Sequence, residues 1–409
     1  MDCFVVRGGR PLYGTVPVGG SKNAALPLLF ATLVTNGVSR IRGVPDIDDV
    51  HAALTILRAF GAVISHPSDG VYTIDTEHVR YTIPPETAVR SIRASTYLLG
   101  ASLARFGRVR IQPFGGCAFS DRPIDMHLDA ARALGAQVGT LDITAKECLV
   151  GGHIVFPKVS VGATVNALLL ASTARGETII ENPAVEPHVT ALAEYLRDTG
   201  ADITFGDGRI TVRGASLHGA DATVIPDMIE AGTYLLAGLV TGGAVTVDGV
   251  ITDHLRALSE LLRAAGVVVR EGEMSVFATA PRRLSAMAVT AAPYPAFPTD
   301  LQPLMAPLLA VCRGGTLADT VFPERFGYLE ALSSFGVVSE RRYGSASVFP
   351  SVLRPACATV PDLRGGASLL LCALAAEGES RISESSVLYR GYEKPVEKFR
   401  ALGADICEI

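Results

Sequence analysis

Leu57-Arg-Ala-Phe-Gly61-Ala-Val-Ile reads as the end of a helix, a glycine and the start of a strand. The phrase returns at Ala133-Leu-Gly135-Ala-Gln-Val, Leu196-Arg-Asp-Thr-Gly200-Ala-Asp-Ile, Leu262-Arg-Ala-Ala-Gly266-Val-Val-Val, Leu332-Ser-Ser-Phe-Gly336-Val-Val and Phe399-Arg-Ala-Leu-Gly403-Ala-Asp-Ile. Successive glycines lie 74, 65, 66, 70 and 67 residues apart. A second series interleaves: small and aliphatic helical stretches end at Gly37, Gly107, Gly176, Gly243, Gly315 and Gly378, spaced 70, 69, 67, 72 and 63, each before a strand-like run. Glycine takes the left-handed conformation that ends a helix, and the β-branched residues after it begin a strand. Two interleaved series at one period mark an internal repeat. Its unit of about 68 residues holds two helices and several strands, a βαβαββ-type pattern repeated six times across 409 residues.

One helix of each unit is apolar all round, as in Val165-Asn-Ala-Leu-Leu-Leu-Ala-Ser and Ser368-Leu-Leu-Leu-Cys-Ala-Leu-Ala-Ala. Such helices are buried. Buried helices enclosed by sheets invert the usual layering. Six units in two groups of three predict two domains with a ligand cleft between them.

Composition narrows the function. The 48% apolar and 19% charged residues are those of a folded chain. A formal charge of −5 without a Lys/Arg-rich block argues against nucleic-acid binding. No apolar run reaches the 18 or so residues of a membrane helix, and the start MDCFVVRGGR has no signal-peptide pattern. Seven scattered cysteines without a CxxC pair, and eight histidines without HxxxH or HExxH spacing, argue against a disulfide framework or a metal site. A cytoplasmic α/β protein, monomeric or weakly homo-oligomeric, without cofactor or metal, is expected.

Several segments combine residue types that carry chemistry. Gly19-Gly-Ser-Lys22-Asn23 stands between a strand-like run and an apolar helix. Gly14 to Lys22 narrowly misses a P-loop, which needs Lys directly after its second glycine, so nucleotide hydrolysis is rejected. A helix start with Lys22 suits an anion, although a turn with a surface lysine explains the run equally simply. In Pro113-Phe-Gly-Gly-Cys117-Ala-Phe-Ser-Asp-Arg122-Pro123-Ile-Asp125, two glycines predict a mobile loop, and a thiol beside Arg122 can act as nucleophile or acid. A free cysteine is more often an inert buried side chain. Lys158-Val-Ser160-Val161-Gly162-Ala-Thr opens a buried helix and suits a phosphate, or simple N-capping. Asp300 at a helix start is ordinarily a cap. Arg325, Arg364 and Arg390 each sit near a strand-to-helix junction, and if they converge they would bind a small polyanion.

Taken together, GGSKNAALP, IRAS, GGCAFSDRPIDMH, KVSVGAT, AFPTDLQ, VFPERF, DLR and YRGYE, in order along essentially the whole chain, resemble the enolpyruvyl transferases. Within that family the likeness is greatest to the members that act on UDP-N-acetylglucosamine at the start of peptidoglycan precursor synthesis. The resemblance implies a two-domain inside-out α/β barrel, with residues 21–227 in one domain and 1–20 plus 228–409 in the other. It implies phosphoenolpyruvate and a uridine nucleotide as substrates. Lys22, Arg122 and Arg390 match contacts of the phosphate of phosphoenolpyruvate, and Arg325 and Arg364 those of its carboxylate. Cys117 matches the loop cysteine that protonates the methylene carbon and is alkylated by fosfomycin, and Asp300 the group that takes the acceptor hydroxyl proton. Asn23, Arg93, Arg122, Pro123, Asp125, Lys158, Ser160, Val161, Gly162, Asp300 and Val321 match positions around the uridine nucleotide.

The chain also departs from the family pattern. Ala118-Phe-Ser-Asp precedes Arg122 where a smaller Ile-Gly pair is usual. Met228, Tyr97, Pro323-Glu324 and Leu388-Tyr389 replace Arg, Trp, Glu-Asn and Ile-Asp. These neighbours bear on the acceptor, so transfer to the 3-hydroxyl of UMP, as in nucleoside-antibiotic biosynthesis, is the alternative. A sugar-nucleotide-binding protein without catalysis is a further one. The kept KVSVGAT and RPID segments favour UDP-N-acetylglucosamine.

Overall fold

A computed structural model describes residues 2–115, 123–280 and 284–409. Its repeating element is seen most plainly between 153 and 213. A strand at His153–Val155 leads into the helix Val161–Ala171 and then a parallel strand at Glu177–Glu181. The helix Pro187–Asp198 follows, and a hairpin of Asp202–Gly206 and Arg209–Arg213 adds antiparallel to the second strand. Five of the sheets repeat this order of one parallel and two antiparallel pairings, and the sixth has three strands among the described residues.

The chain divides into two compact units, one of residues 20–115 with 123–225, the other of 2–19 with 226–409. In the first unit the strand Asp221–Thr223, last in sequence, lies parallel to Val38–Arg42 and completes the sheet of the first repeat. The second unit closes in the same circular way. Its N-terminal strand Cys3–Gly8 pairs with both Gly378–Ser383 and Asp405–Glu408, and Tyr13–Pro17 runs parallel to Ala244–Asp248.

Each unit has its own apolar core. In the first the inner helices are Lys22–Thr32, Leu98–Phe106 and Val161–Ala171; in the second they are Met228–Val240, Gln302–Val311 and Leu363–Ala375. Apart from their terminal residues and the last turn of Leu98–Phe106, the inner helices are buried on nearly every side, which is why their sequences show no polar stripe. The outer helices are two-faced. Pro187–Asp198 buries Val189, Leu192 and Leu196 and exposes Glu194, Arg197 and Asp198. Among the described residues no helix is long and apolar enough to cross a membrane.

The glycines of the first series all hold positive φ, from 85° at Gly135 to 119° at Gly200. The second series needs a correction at two places. Gly242 and Gly314, not Gly243 and Gly315, take the left-handed conformation there. Gly243 and Gly315 answer a different demand: a Cβ on either would lie about 2 Å from the carbonyl oxygen of Leu12 or Met287 on the adjoining parallel segment.

Candidate active site

The second unit gathers its charge around Asp300. Arg325 Nη1 donates to Asp300 Oδ1 at 2.7 Å, and Arg364 donates to Oδ2 through Nε at 3.3 Å and Nη2 at 3.2 Å. Both guanidinium groups are buried, each arginine 3% exposed, while the carboxylate between them keeps an open side. Arg364 is set by its backbone: Asp362 caps the helix Leu363–Ala375 by accepting from the Arg364 and Gly365 amides. Its guanidinium lies 5.4 Å from the centre of the Tyr392 ring, and Tyr392 Oη meets Thr233 Oγ1 at 3.0 Å. Burial opposes the charge on Arg364, but Tyr392, Asp300 and Asp227 outweigh it and hold its pKa above the ordinary value.

The capping role ordinary for a carboxylate at this position does not apply to Asp300. The helix Gln302–Val311 starts after Leu301 with no side-chain cap, and the Asp300 carboxylate turns to the arginines instead. Next to it, Arg325 Nη1 donates to Thr299 Oγ1, and Thr299 donates to Asp319. Asp319 also receives the Val321 and Phe322 amides, which places Val321 beside the cluster. Burial raises the Asp319 pKa against those bonds. Arg390 closes the 3₁₀ turn Ser385–Arg390, two residues from Tyr392. Elsewhere in this unit, buried Glu230 takes Lys398 Nζ at 2.6 Å and the Gly19 amide at 2.7 Å.

In the first unit Lys22 begins an inner helix and its Nζ meets Asp49 Oδ2 at 2.8 Å, with Asn23 half-buried beside it. Gly20 is demanded by close approach, because a Cβ there would fall 1.8 Å from the Gly43 carbonyl oxygen. Ser160 caps Val161–Ala171, its Oγ accepting from the Ala163 amide, and Lys158 is exposed just before it. Gly162, in that first turn, faces His127: a Cβ would lie 3.1 Å from His127 Cε1 and 3.4 Å from Nε2. The His127 pKa is lowered to about 4, chiefly by burial and also by nearby Arg93, with Asp125 opposing them. Arg93, Asp125 and Gly162 are thus brought around one imidazole, with Pro123 exposed just before the Asp125–Ala133 helix.

Cys117 and Arg122 lie outside the described residues. Gly115, read from sequence as part of a mobile loop, is packed: its amide donates to Val89 O at 3.1 Å, and a Cβ would lie 2.4 Å from the Ile92 carbonyl carbon. His127, Asn166, Asp49 and Asp319 stand in none of the roles that the sequence motifs suggested. A lone asparagine inside Val165-Asn-Ala-Leu-Leu-Leu was the available signal for Asn166, since an inner helix does not bury an amide without bonding it. Among the described residues no cluster of His, Cys, Asp and Glu is arranged to hold a metal ion.

A family model described as EPSP synthase (3-phosphoshikimate 1-carboxyvinyltransferase) matches residues 6–399. The chain belongs to this enolpyruvyl transferase family. Within the family it is 41% identical to UDP-N-acetylglucosamine 1-carboxyvinyltransferase 3 of Symbiobacterium thermophilum, over 99% of this chain and 98% of that one. It is equally identical, with the same coverage, to UDP-N-acetylglucosamine 1-carboxyvinyltransferase of Prosthecochloris aestuarii. Among solved structures, the enolpyruvyl transferase NikO from Streptomyces tendae superposes with a TM-score of 0.88 at 28% identity, covering 100% of this chain and 98% of NikO. EPSP synthase from Acinetobacter baumannii, at 18% identity and a TM-score of 0.75 over the whole of both chains, shares the fold.

Proposed function

We propose that this enolpyruvyl transferase moves the enolpyruvyl group of phosphoenolpyruvate to the 3-hydroxyl of UDP-N-acetylglucosamine and releases phosphate. The observation that carries the acceptor is the 41% identity, over nearly the full length of both chains, to enzymes named for that sugar nucleotide. The geometry suits the chemistry. Two buried guanidinium groups converge on one carboxylate-sized place, where planar, bidentate donors hold a carboxylate well.

In the mechanism proposed, Arg325 and Arg364 hold the substrate carboxylate, and Lys22, Arg122 and Arg390 hold its phosphate. Asp300 takes the proton of the acceptor hydroxyl as its oxygen attacks C2 of phosphoenolpyruvate. Cys117 delivers a proton to the C3 methylene, giving a tetrahedral intermediate. Loss of a proton from C3 and departure of phosphate from C2 then leave the enol ether. A base at the acceptor and an acid at the methylene are the opposed pair that addition and elimination require, and the cations offset the charge of the trianion. Asn23, Arg93, Pro123, Asp125, Lys158, Ser160, Val161, Gly162 and Val321 are assigned to the uridine nucleotide.

A second reading, transfer to the 3-hydroxyl of UMP, draws on the altered residues around Cys117 and on the structural likeness to NikO. The test is phosphate release from phosphoenolpyruvate with UDP-N-acetylglucosamine and, separately, with UMP, with mass spectrometry of each product. The proposal expects release with the sugar nucleotide and a product heavier by one enolpyruvyl group. Release with UMP alone would replace it by the second reading.

A further inference from the structure

The two arginines assigned to the substrate carboxylate already hold one. Asp300 places Oδ1 on Arg325 and Oδ2 on Arg364, each oxygen taken by a different guanidinium, which is the arrangement a bound carboxylate would adopt. Burying two guanidinium groups with no anion between them is strongly unfavourable. The same pairing makes Asp300 a poor base, because two cations favour its ionised form and hold both oxygens.

We propose that Asp300 stands in for the substrate carboxylate in the unliganded protein, and that arrival of that carboxylate on Arg325 and Arg364 releases Asp300 and turns it into a base. The inference rests on the carboxylate and base assignments made above. Exchange of one carboxylate for another keeps an anion between the buried arginines throughout. Asp300, released from these two guanidinium groups, gains proton affinity once phosphoenolpyruvate is seated. Its basicity is therefore coupled to occupancy of the site, and its own charge competes with the ligand it serves. The open side of the carboxylate gives it a direction in which to leave.

The test uses phosphoglycolate, which carries a phosphate and a carboxylate but has no enol to react, and methyl phosphate, which lacks the carboxylate. Binding of each to the full chain is measured by calorimetry for wild type, Asp300→Asn and Asp300→Ala. Displacement predicts that both variants bind phosphoglycolate at least about tenfold more tightly than wild type, with methyl phosphate changed far less. Added phosphoglycolate should likewise raise the melting temperature of the variants more than that of wild type. Equal or weaker phosphoglycolate binding by the variants overturns the proposal, as does an equal gain for methyl phosphate, which would report only a change in local field. Turnover of phosphoenolpyruvate by wild type is scored separately. Its presence with either of those results leaves the proposed function standing without the exchange.

Discussion

The imidazole of His127 meets the side-chain amide of Asn166 at 2.7 Å between Nδ1 and Nδ2. The Asn166 Oδ1 is occupied by the Gly100 amide at 2.5 Å, so Nδ2 is the donor to His127 and Nδ1 must accept. His127 is therefore the neutral tautomer with its proton on Nε2. One asparagine thereby sets the proton position on a histidine in the expected nucleotide region, while its Nδ2 also lies 3.1 Å from Thr96 O.

Burial of this imidazole gives stability a pH dependence. The folded pKa of His127 is lowered from 6.5 to about 4, chiefly by burial. The unfolded chain therefore binds this proton at a pH where the folded chain does not. The contribution is present above pH 6.5 and is lost as pH falls toward 4, by up to about 3 kcal/mol. Urea unfolding of wild type and His127→Gln at pH 7.5 and 4.5 should show the gap between them narrowing at the lower pH. A gap that stays constant would remove the neutral histidine from the account.

Gly100 is the other end of the same arrangement. A Cβ there would lie 2.6 Å from Asn166 Oδ1 and 3.0 Å from the Asn166 carbonyl oxygen. Alanine is the better helix former by about 1 kcal/mol, yet the crowding of a buried helix pair outweighs it. Gly100→Ala should destabilise by about 1–3 kcal/mol in chemical denaturation. A stabilised Gly100→Ala protein would show that the two helices separate freely.

Glu230 and Lys398 make a different kind of pair, an ion pair with a buried carboxylate and a partly buried lysine. Burial raises the Glu230 pKa and Lys398 lowers it, with the first effect the larger. Lys398→Met removes the counter-charge of the buried carboxylate and should destabilise by about 3–5 kcal/mol at pH 7. A raised carboxylate pKa favours the fold at low pH and loses that advantage as pH rises through the folded value. The deficit of Lys398→Met should therefore shrink between pH 7.5 and pH 5, and Glu230→Gln combined with it should restore part of the loss. A deficit that is the same at both pH values would point to lost packing of the lysine stem instead.

The six-fold repeat was legible because its marks are local. A left-handed glycine such as Gly61 or Gly403, and an inner helix with no polar stripe such as Val161–Ala171, are each written in adjacent residues. The circular closure was not legible, because Cys3–Gly8 and Gly378–Ser383 carry no mark of their pairing. The same holds for the charges. Lys22 and the arginines stood out as types, but that Lys22 meets Asp49, or that Arg325 and Arg364 share Asp300, depends on chain segments far apart in sequence. The assignment of roles came from resemblance in the motifs. Gly243 and Gly315 were misread for a related reason, since contact with an adjoining segment, rather than the helix end, selects glycine there.

The proposed reaction makes Cys117 the acid at the methylene carbon, and this yields a kinetic prediction separate from any effect on folding. Removal of a general acid ordinarily lowers turnover by about a hundredfold to ten-thousandfold. Cys117→Ala should lose at least the smaller of these factors in kcat for phosphate release, with its melting temperature unchanged. Fosfomycin should inactivate wild type in a time-dependent way, adding one equivalent of its mass to the chain at Cys117, and should leave no adduct on Cys117→Ala. The six other cysteines, all described, are unpaired thiols, among them Cys357, which is exposed. An adduct mapped to one of these would show general thiol reactivity and remove the support for a special loop cysteine. Full turnover by Cys117→Ala would require another group to protonate the methylene carbon, and the acid assigned here would have to be sought elsewhere.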